Sequence, residues 1–576
     1  MCGIFSLLNY NDFNIGIISE QFMKGVRRGP EFSKLDSSFN NIILGFHRLA
    51  INGLDNESNQ PLIIGDVALI CNGEIYNYKR LYSYMGIKPI TGSDCEVIIH
   101  LYIKYGIEQT LKMLDGVYAF ILYDNRVNSE QNKKCYVARD PLGIRPLYYL
   151  KNKVSKTIVS DKPKFGFASE LKCLEYFYNN NIDELQIEQF SPGTFTELSM
   201  DTNTNCNWII VKENVSYFDL GFSHSWLINS ETKYMFIDNL WSKMASYLDF
   251  AVNKRCLTTE RPIACLLSGG LDSSLIAALV NNHFNLYNQS NKLETYSIGL
   301  VGSEDLKYAR IVADYLGTKH TEIVVTEEEM FEAIPEVIRA IESYDTTTVR
   351  ASIGNYLLGK YISKNSESKV IFNGDGSDEL LGGYLYMNNC PDDIEFDKES
   401  RRLLKDIHLF DVLRSDKSIS SHGLEPRTPF LDRSFVNFVL SIPPYIRNPK
   451  NNAHTILGIE KDSLRRSFLK ENFTDYKDRQ ILPDEILWRR KEAFSDGVSS
   501  HGRSLYKILQ EKIAVKLTND TGTNFEANID TEKYYYKQLF NSYFPNCIHI
   551  LPYYWMPKYI DAKDPSARTL EIYSIV

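Results

Sequence analysis

The sequence predicts an N-terminal α+β domain built around sheets, followed by a C-terminal α/β domain with a parallel sheet and a mostly helical end. Its 576 residues suit two large domains or three smaller ones, since a domain usually spans about 100–200 residues. Short β-like runs broken by turn signals fill roughly the first 200 residues. Strands and helices alternate from about residue 235, and βαβ alternation is typical of a parallel sheet.

The N-terminal domain is predicted from short apolar runs. The clearest predicted strands are 42–46, 67–71, 116–123 and 135–138, and a helical pattern over 95–105 lies between them. Residues 201–230 lack clear periodicity and start with polar residues. We therefore predict an N-terminal domain over 2–205, a linker over 206–234 and a C-terminal domain over 235–576.

The C-terminal domain begins with a helix that leads into a predicted strand at 262–267. A strand at 294–299, a helix at 306–316 and a strand at 369–373 follow, and the chain is mostly helical after about residue 395. The helix after the first strand is expected to begin near Leu275.

Composition and charge exclude several classes of protein. The net charge of −9 argues against a general nucleic-acid binder, because such proteins usually carry a basic surface. The start MCGIFSLLNY lacks the basic region of a secretory signal, and no apolar run approaches the roughly 20 residues of a membrane span. Ten cysteines without a CxxC pair indicate reduced thiols rather than a zinc or thioredoxin site. We expect a cytoplasmic protein without nucleic-acid or membrane partners.

Cys2 is a candidate nucleophile because it directly follows the initiator methionine. Removal of the methionine would leave Cys2 with a free α-amine of pKa about 8, beside a thiol of pKa about 8.5. The amine can then act as the base for the thiol of the same residue. Considered alone, a cysteine at this position is more easily explained as accidental, so the prediction depends on the rest of the domain.

Further motifs support Cys2. An Arg-Gly-Pro stands at 28–30, an Arg-Leu-Ala-Ile at 48–51, an Asn-Gly-Glu-Ile-Tyr-Asn at 72–77 and a Gly-Ser-Asp at 92–94. With the initial Cys-Gly-Ile, this ordered set resembles the class II glutamine amidotransferases. The resemblance implies the layered sheets of the N-terminal nucleophile hydrolases and a glutaminase activity.

The resemblance also assigns roles to residues. Arg48 would bind the glutamine carboxylate and Asp94 its ammonium group, while the Asn72 side chain and the Gly73 N–H would form the oxyanion hole. The implied glutamine-binding residues are Arg48, Leu49, Ala50, Ile51, Asn52, Asn72, Gly73, Glu74 and Asp94. This chain departs from the family at Arg27 and Glu31, where His and Asp are usual, which puts the local loop geometry in doubt.

A glycine-rich loop, Leu-Leu-Ser-Gly-Gly-Leu-Asp-Ser-Ser at 266–274, joins a predicted strand to a helix. Two glycines let the backbone approach phosphates, and the helix N-terminus favours an anion. The loop is not a Walker motif and resembles the pyrophosphate loop of the ATP pyrophosphatases. A second acidic loop, Asn-Gly-Asp-Gly-Ser-Asp-Glu at 373–379, follows another strand, and an open parallel sheet binds ligands at such strand ends.

Asp272 and Asp378 are hard oxygen donors that suit Mg²⁺ bound to ATP phosphates. The resemblance implies an ATP site formed by Leu267, Ser268, Gly269, Gly270, Asp272, Ser273, Ile298, Asn373 and Gly374. Ile298 would also serve as a core residue of its strand.

Three further blocks resemble the asparagine synthetase family: Tyr-Asp-Thr-Thr-Thr-Val-Arg-Ala-Ser at 344–352, His-Gly-Leu-Glu-Pro-Arg-Thr-Pro-Phe-Leu-Asp at 422–432 and Arg-Lys-Glu-Ala-Phe-Ser-Asp-Gly at 490–497. They make Lys491 a candidate cation for the charge that develops during catalysis. Thr347 and Arg350 are candidates for contact with aspartate or with phosphate, and we take aspartate as the first choice. The aromatic tail from Tyr554 is similar to that of the eukaryotic-type enzymes, and the resemblance covers almost the whole chain.

The second loop departs from the family pattern Ser-Gly-Glu-Gly-Ser-Asp-Glu at Asn373 and Asp375. In the family, the glutamate that Asp375 replaces is thought to act in formation of the acyl-adenylate and as a base for ammonia. Asp375 is therefore a candidate catalytic residue with a shorter reach.

The resemblance implies a carbon–nitrogen ligase that hydrolyses glutamine through a Cys2 thioester. Ammonia would then react with a β-aspartyl-AMP made from aspartate and ATP, giving asparagine, AMP and pyrophosphate. A homodimer is implied in the same way. Two alternatives stay open: a β-lactam synthetase, although such enzymes lack the amidase cysteine, and a non-catalytic glutamine or nucleotide sensor, for which Asn373 and Asp375 are the only support.

Overall fold

The computed structural model describes residues 2–39, 41–126, 133–153, 163–201, 206–220, 239–287, 291–451, 459–500, 502–570 and 573. Residues 221–234 of the predicted linker and 235–238 of the predicted leading helix lie outside this described part. Within the described ranges, no helix combines the length and apolar character needed to cross a membrane.

The N-terminal domain contains two six-stranded antiparallel sheets within the described residues. The first has the order β10-β8-β9-β1-β3-β2 and the second the order β12-β11-β7-β6-β5-β4. The strands are β1 (Gly3–Leu8), β2 (Phe32–Asp36), β3 (Ile42–Arg48), β4 (Leu62–Ile64), β5 (Val67–Ile75), β6 (Gly116–Asp124), β7 (Lys134–Arg139), β8 (Tyr148–Asn152), β9 (Phe165–Ala168), β10 (Leu185–Gln189), β11 (Thr194–Asp201) and β12 (Asn207–Ser216).

An apolar layer joins the two sheets face to face. Phe46 of β3 and Ile70 of β5 belong to the same buried cluster, as do Ile4 of β1 and Ile121 of β6. The helices of the domain are α1 (Ile15–Met23), α2 (Tyr78–Met85), α3 (Val97–Met113) and α4 (Glu175–Asn179). Helices α2 and α3 share a second buried cluster with the other face of β5 and β6, which gives the layered α+β arrangement that the resemblance implied.

The four strands predicted from apolar runs lie within β3, β5, β6 and β7, and α3 lies where a helix was expected. The predicted linker was wrong over residues 207–216. These residues form β12, an edge strand paired with β11. The strand was missed because most of its side chains are exposed at the sheet edge, so that Trp208 is its main contribution to the core.

The C-terminal domain is built on a parallel sheet of five described strands in the order β15-β14-β13-β16-β17. They are β13 (Ile263–Leu266), β14 (Glu294–Leu300), β15 (Lys319–Val325), β16 (Val370–Phe372) and β17 (Glu425–Arg427). The helices are α5 (Leu240–Cys256), α6 (Leu271–Tyr287), α7 (Glu304–Leu316), α8 (Glu327–Glu332), α9 (Ile334–Ile341), α10 (Thr346–Asn365), α11 (Ser377–Leu381), α12 (Asp393–Asp406), α13 (Asp411–Ser420), α14 (Arg433–Ser441), α15 (Pro444–Arg447), α16 (Asp462–Ser467), α17 (Asp484–Leu487), α18 (Phe494–Gly497), α19 (Leu505–Thr521) and α20 (Ile529–Tyr543).

The βαβ alternation and the parallel sheet are confirmed. Two details differ from the prediction. Helix α6 begins at Leu271 rather than near Leu275, so its N-terminus follows the glycine loop directly. The strand β17 lies in a stretch that was expected to be helical. It was missed because its three residues, Glu425–Arg427, have no apolar pattern and form a strand through pairing with β16.

Candidate active site

Cys2 directly precedes β1, whose first residue, Gly3, pairs with His47 of β3. Its Sγ atom is 3.7 Å from the carbonyl oxygen of Leu49. Burial raises the pKa of this thiol, so the nucleophile needs a base to form its thiolate. The Arg28 Nε atom donates a hydrogen bond to the Cys2 carbonyl oxygen at 3.0 Å, which fixes the backbone of the nucleophile.

An acidic cluster follows the Asn-Gly-Glu motif. Asn52 Nδ2 donates to Glu74 Oε2 at 2.7 Å and lies 3.4 Å from Asp94 Oδ1. Burial raises the pKa of Asp94 to about 6, although the N–H of Ile75 bonds its carboxylate at 2.6 Å. Burial and the neighbouring carboxylates raise the pKa of Glu74 as well. A buried acidic pair of this kind can bind an ammonium group.

Asn72 is fully buried on β5. Among the described residues, its Nδ2 atom makes a single long contact, 3.5 Å from Ser169 Oγ, so the amide retains the capacity to donate to a ligand. Gly73 must be a glycine for packing, since a Cβ there would lie 2.4 Å from the carbonyl oxygen of Val117. The proposed oxyanion roles of Asn72 and Gly73 are compatible with these positions and stay predictions.

The guanidinium of Arg48 binds the loop that follows it. Its Nη1 atom donates to the Asp55 carbonyl and to Asn59 Oδ1, both at 2.7 Å, and Nη2 donates to the Gly53 carbonyl. Leu49, Ala50 and Ile51 are buried beside it. A carboxylate contact by Arg48 would therefore share this guanidinium with the loop.

The departure at Glu31 has a structural role. Its Oε2 atom accepts the Ala50 N–H at 2.7 Å, and its Oε1 atom accepts from Arg261 at 3.0 Å. Arg28 is buried, whereas Arg27 is exposed and pairs with Glu336 at 3.7 Å. The motif arginine thus keeps an interior position although its flanking residues differ.

A cavity lies at the carboxyl ends of β13 and β16 and beside the middle of β14. The predicted ATP residues that line it are Leu267, Ser268, Gly270, Asp272, Ser273, Ile298, Asn373 and Gly374. Gly269 is not among the lining residues. It has a φ of +71°, and a Cβ there would lie 2.4 Å from the Ala309 nitrogen, so this glycine allows the loop to pack against α7.

Hydrogen bonds within the loop hold it ready for phosphate. The backbone N–H of Ser268 donates to Ser273 Oγ at 3.1 Å, and the two hydroxyl oxygens are 2.9 Å apart. Gly374 brings the second loop close, because a Cβ there would lie 2.8 Å from the Ser273 nitrogen. The two loops thus approach each other at the N-terminus of α6, which favours an anion.

Two lysines and two aspartates meet in this cavity. Lys461 Nζ lies 2.6 Å from Asp272 Oδ2 and 2.5 Å from Asp378 Oδ1, and Lys491 Nζ lies 2.5 Å from Asp378 Oδ2. Burial alone would raise the pKa of Asp378, but the two ammonium groups outweigh it and hold this pKa well below its usual range. The sequence analysis missed Lys461, which no motif marks.

The two carboxylates fit a phosphate-bound Mg²⁺. Asp272 and Asp378 converge on one cation position, now taken by the Lys461 ammonium, and Mg²⁺ often binds through one or two carboxylates plus substrate phosphates. Among the described residues, no group of three or more His, Cys, Asp or Glu side chains is arranged to hold a metal ion. The chain's own ligands would therefore need oxygens from the nucleotide.

Asp375 lies in the lining of the same cavity. Its Oδ1 atom accepts from Arg414 Nη2 at 3.1 Å. Its Oδ2 atom is buried and has no hydrogen-bond partner within the part of the chain that is described. One carboxylate oxygen is therefore oriented by an arginine and the other is available to a substrate.

The two candidate aspartate contacts differ in position. Thr347 lines the cavity, but Arg350 does not. The Arg350 guanidinium forms ion pairs with Glu532 at 2.6 Å and with Asp564 of the C-terminal tail at 2.7 Å. A direct contact between Arg350 and aspartate would require these pairs to be exchanged.

A candidate nucleophilic cysteine and a buried acidic cluster in one domain, together with a cavity suited to a nucleotide in the other, fit the class of a glutamine amidotransferase joined to an ATP-using synthetase. Residues 1–207 match the family model of the glutamine amidotransferase domain, and residues 243–393 and 387–549 match that of asparagine synthase. The chain belongs to the glutamine-hydrolysing asparagine synthetase family.

Curated relatives agree over the full length. The chain is 40% identical to the glutamine-hydrolyzing asparagine synthetases of Cricetulus griseus and Homo sapiens over 592 residues, covering 100% of this chain and 99% of each relative. It is 40% identical to that of Gallus gallus over 586 residues with the same coverage.

Proposed function

We propose that the chain synthesises asparagine from aspartate, using ATP for activation and glutamine as the nitrogen donor. The observation that carries this proposal is the meeting of Lys461, Lys491, Asp272 and Asp378 in a cavity that also contains Asp375. That set suits a nucleoside triphosphate whose pyrophosphate group gains negative charge as it departs. The family and the cysteine site at the other end of the chain support glutamine as the source of ammonia.

In the glutaminase half, the Cys2 thiol attacks the side-chain amide of glutamine. The α-amine of Cys2 takes the thiol proton and passes it to the leaving ammonia. Asn72 Nδ2 and the Gly73 N–H stabilise the oxyanion, and Asp94, with Glu74 and Asn52 beside it, binds the substrate ammonium. Water then hydrolyses the thioester to glutamate.

In the synthetase half, the side-chain carboxylate of aspartate attacks the α-phosphate of ATP, giving β-aspartyl-AMP and pyrophosphate. Lys461 and Lys491 stabilise the charge on the departing pyrophosphate. Asp375 then takes a proton from ammonia as it attacks the acyl carbon, and AMP leaves. Leu267 and Ile298 line the wall that would hold the nucleoside.

When bound, Mg²⁺ would offset charge on the phosphates next to Asp272 and Asp378. We propose a glutaminase domain that extends through β12 to about residue 216 and a synthetase domain from about residue 235. We also propose a cytoplasmic location, in keeping with ten free thiols, and a homodimer by analogy with the family.

The test is pyrophosphate release from ATP with a panel of amino acids. Aspartate alone should support release, and asparagine should form when glutamine or ammonia is added. Release with a different amino acid would favour a related ligase such as a β-lactam synthetase. A parent protein that binds ATP without releasing pyrophosphate would support a non-catalytic sensor.

A further inference from the structure

Helix α13 (Asp411–Ser420) carries polar side chains that reach both candidate sites. Successive residues of an α-helix are turned by about 100°, so positions two apart point to nearly opposite sides. Arg414 donates to Asp375 of the synthetase loop at 3.1 Å, while Asp416 accepts from Arg28 of the glutaminase domain at 2.8 Å. One short helix therefore contacts the supporting residues of two separate reactions.

On the synthetase side, the helix holds the loop at more than one point. Asn373 Nδ2 donates to Ser415 Oγ at 2.7 Å, and Asn373 Oδ1 accepts the backbone N–H of Asp375 at 3.3 Å. Arg414 also binds Asp411 at 2.8 Å, which limits the freedom of its guanidinium. The position of the Asp375 carboxylate thus depends on α13 through its backbone and its side chain.

On the glutaminase side, the Asp416 carboxylate forms an ion pair with Arg28. The Arg28 Nε atom holds the carbonyl oxygen of Cys2 at 3.0 Å, and its Nη1 atom binds Asp416 and Glu170, both at 2.8 Å. Arg28, Glu170 and Asp416 are all buried. Ion pairs in such an environment are weakly screened and geometrically demanding, so a shift of Asp416 would move the arginine that holds the nucleophile's backbone.

We infer that Asp416 is a positioning residue for the Cys2 nucleophile, acting through Arg28, and that α13 links it to the loop that carries Asp375. The inference rests on the proposed function. Occupation of the synthetase cavity by ATP and aspartate changes the surroundings of Asp375 and Arg414. The helix passes this change to Arg28, so that the glutaminase rate depends on whether the synthetase site is filled.

The experiment compares the full-length parent with Asp416→Asn and with Ser418→Ala as a matched control. Ser418 is on the same helix, and its hydroxyl bonds the helix backbone at Arg414. Three rates are measured: glutaminase alone, glutaminase with saturating ATP and aspartate, and synthesis from ammonia. The decisive number is the ratio of the two glutaminase rates.

In the parent and in Ser418→Ala, this ratio should differ from one. In Asp416→Asn the ratio should approach one, and glutaminase kcat should fall about tenfold with little change in the KM for glutamine, because a small displacement of a reacting group is costly in rate. Ammonia-dependent synthesis should stay within about twofold of the parent, since Cys2 takes no part in it. Ser415→Ala should also move the ratio towards one, because it loosens the other end of the link.

A parent ratio of one, or an Asp416→Asn protein that behaves as Ser418→Ala does, overturns the inference. If Asp416→Asn does not fold, Ser420→Ala replaces it, since Ser420 Oγ accepts from Arg28 at 3.0 Å, and the same change in ratio is required. A parent that forms no asparagine from ammonia or glutamine overturns the proposed function instead.

Discussion

Lys491 Nζ lies 2.5 Å from Oδ2 of Asp378, and these two residues are 113 positions apart in the chain. The pair brings α11, the short helix that follows the loop after β16, together with the segment before α18. Burial would lower the pKa of Lys491, but Asp378 and Asp272 raise it well above its usual range. Lys491 is therefore a permanent cation in the cavity, held by a carboxylate that a nucleotide can replace.

We predict that Asp272→Asn or Asp378→Asn abolishes aspartate-dependent pyrophosphate release and leaves glutamine hydrolysis intact. An amide removes the negative charge that Mg²⁺ and the two lysines require. Pyrophosphate and glutamate are measured on the same protein across a titration of Mg²⁺. Glu322→Gln serves as a control, because Glu322 pairs with Arg310 on the surface. Normal synthesis in both variants would remove these carboxylates from the mechanism.

Cys2→Ala is expected to eliminate glutamine-dependent asparagine formation while ammonia-dependent synthesis continues, because the nucleophile lies in a different domain from the nucleotide cavity. Glutamate release and asparagine formation from each nitrogen source are the measurements. Cys206→Ala is the matched control, since that thiol is exposed. Glutaminase turnover at the parent rate in Cys2→Ala would contradict the assignment.

A protein that retains Met1 should behave as Cys2→Ala does. Its α-amine would belong to methionine and could not serve as the base next to the thiol. Mass spectrometry establishes which form is present, and the glutaminase rate is then compared between the two. Equal rates would show that the free amine of Cys2 is not the base.

Replacing Asp564 by asparagine should destabilise the synthetase domain. Asp564 and Glu532 are the buried partners of Arg350. Loss of one partner from a buried ion pair costs about 3 kcal/mol when the remaining charge is left unpaired, and Arg350 keeps Glu532, so we expect a loss below that value. The free energy of unfolding is measured in urea, with Glu322→Gln as the exposed control. A KM for aspartate that rises without loss of stability would instead favour a direct contact between aspartate and this part of the chain.

Short motifs predicted much of the candidate site because many of its residues are neighbours in the sequence, such as Asn72, Gly73 and Glu74. Lys461 was beyond such reasoning. It lies 189 positions from Asp272, and its place in the cavity depends on a left-handed backbone conformation at the start of α16. The link between Arg350 and Asp564 spans 214 positions, and nothing local in the tail indicates it.

The fold could be predicted where side-chain periodicity follows burial. The strands β3, β5, β6 and β7 are buried along nearly their whole length, so apolar runs marked them. The edge strand β12 and the three-residue strand β17 depend on pairing with a neighbour rather than on their own apolar residues. Single-sequence patterns carry little information about such partners.

The pH dependence of the glutaminase should report Asp94. Below the pKa of the Cys2 amine, about 8, kcat/KM for glutamine should fall tenfold per pH unit. Burial raises the pKa of Asp94 to about 6, and only its ionised form can bind the substrate ammonium. Below about pH 6 a second proton must therefore be lost for binding, and the slope of log kcat/KM against pH should steepen from one to two.

Rates of glutamate release at low glutamine concentration between about pH 5 and pH 9, roughly one unit beyond each of these two pKa values, provide the measurement. Asp94→Asn should have a lower kcat/KM and keep a slope of one throughout, because the second ionisation is absent. A parent slope that stays at one down to the lowest pH would rule out ionised Asp94 as a requirement.

Asp375 provides the most demanding prediction. Its side chain is shorter than glutamate by one methylene, about 1.5 Å, and a misplacement of about 1 Å can cost 10²-fold in rate. Here Arg414 orients one oxygen, and Asn373 ties the Asp375 backbone to Ser415. These contacts provide a local means of holding the shorter carboxylate in place.

We expect Asp375→Ala to abolish asparagine synthesis from both ammonia and glutamine, while glutamine hydrolysis continues. Asp375→Glu should retain synthesis, because the carboxylate remains and Arg414 can still pair with it. Asparagine and pyrophosphate are measured for both variants beside the parent. Parent-level synthesis in Asp375→Ala would show that this carboxylate takes no part in the chemistry. A silent parent whose pyrophosphate release is restored by Asp375→Glu would instead identify the natural protein as a sensor with a disabled synthetase site.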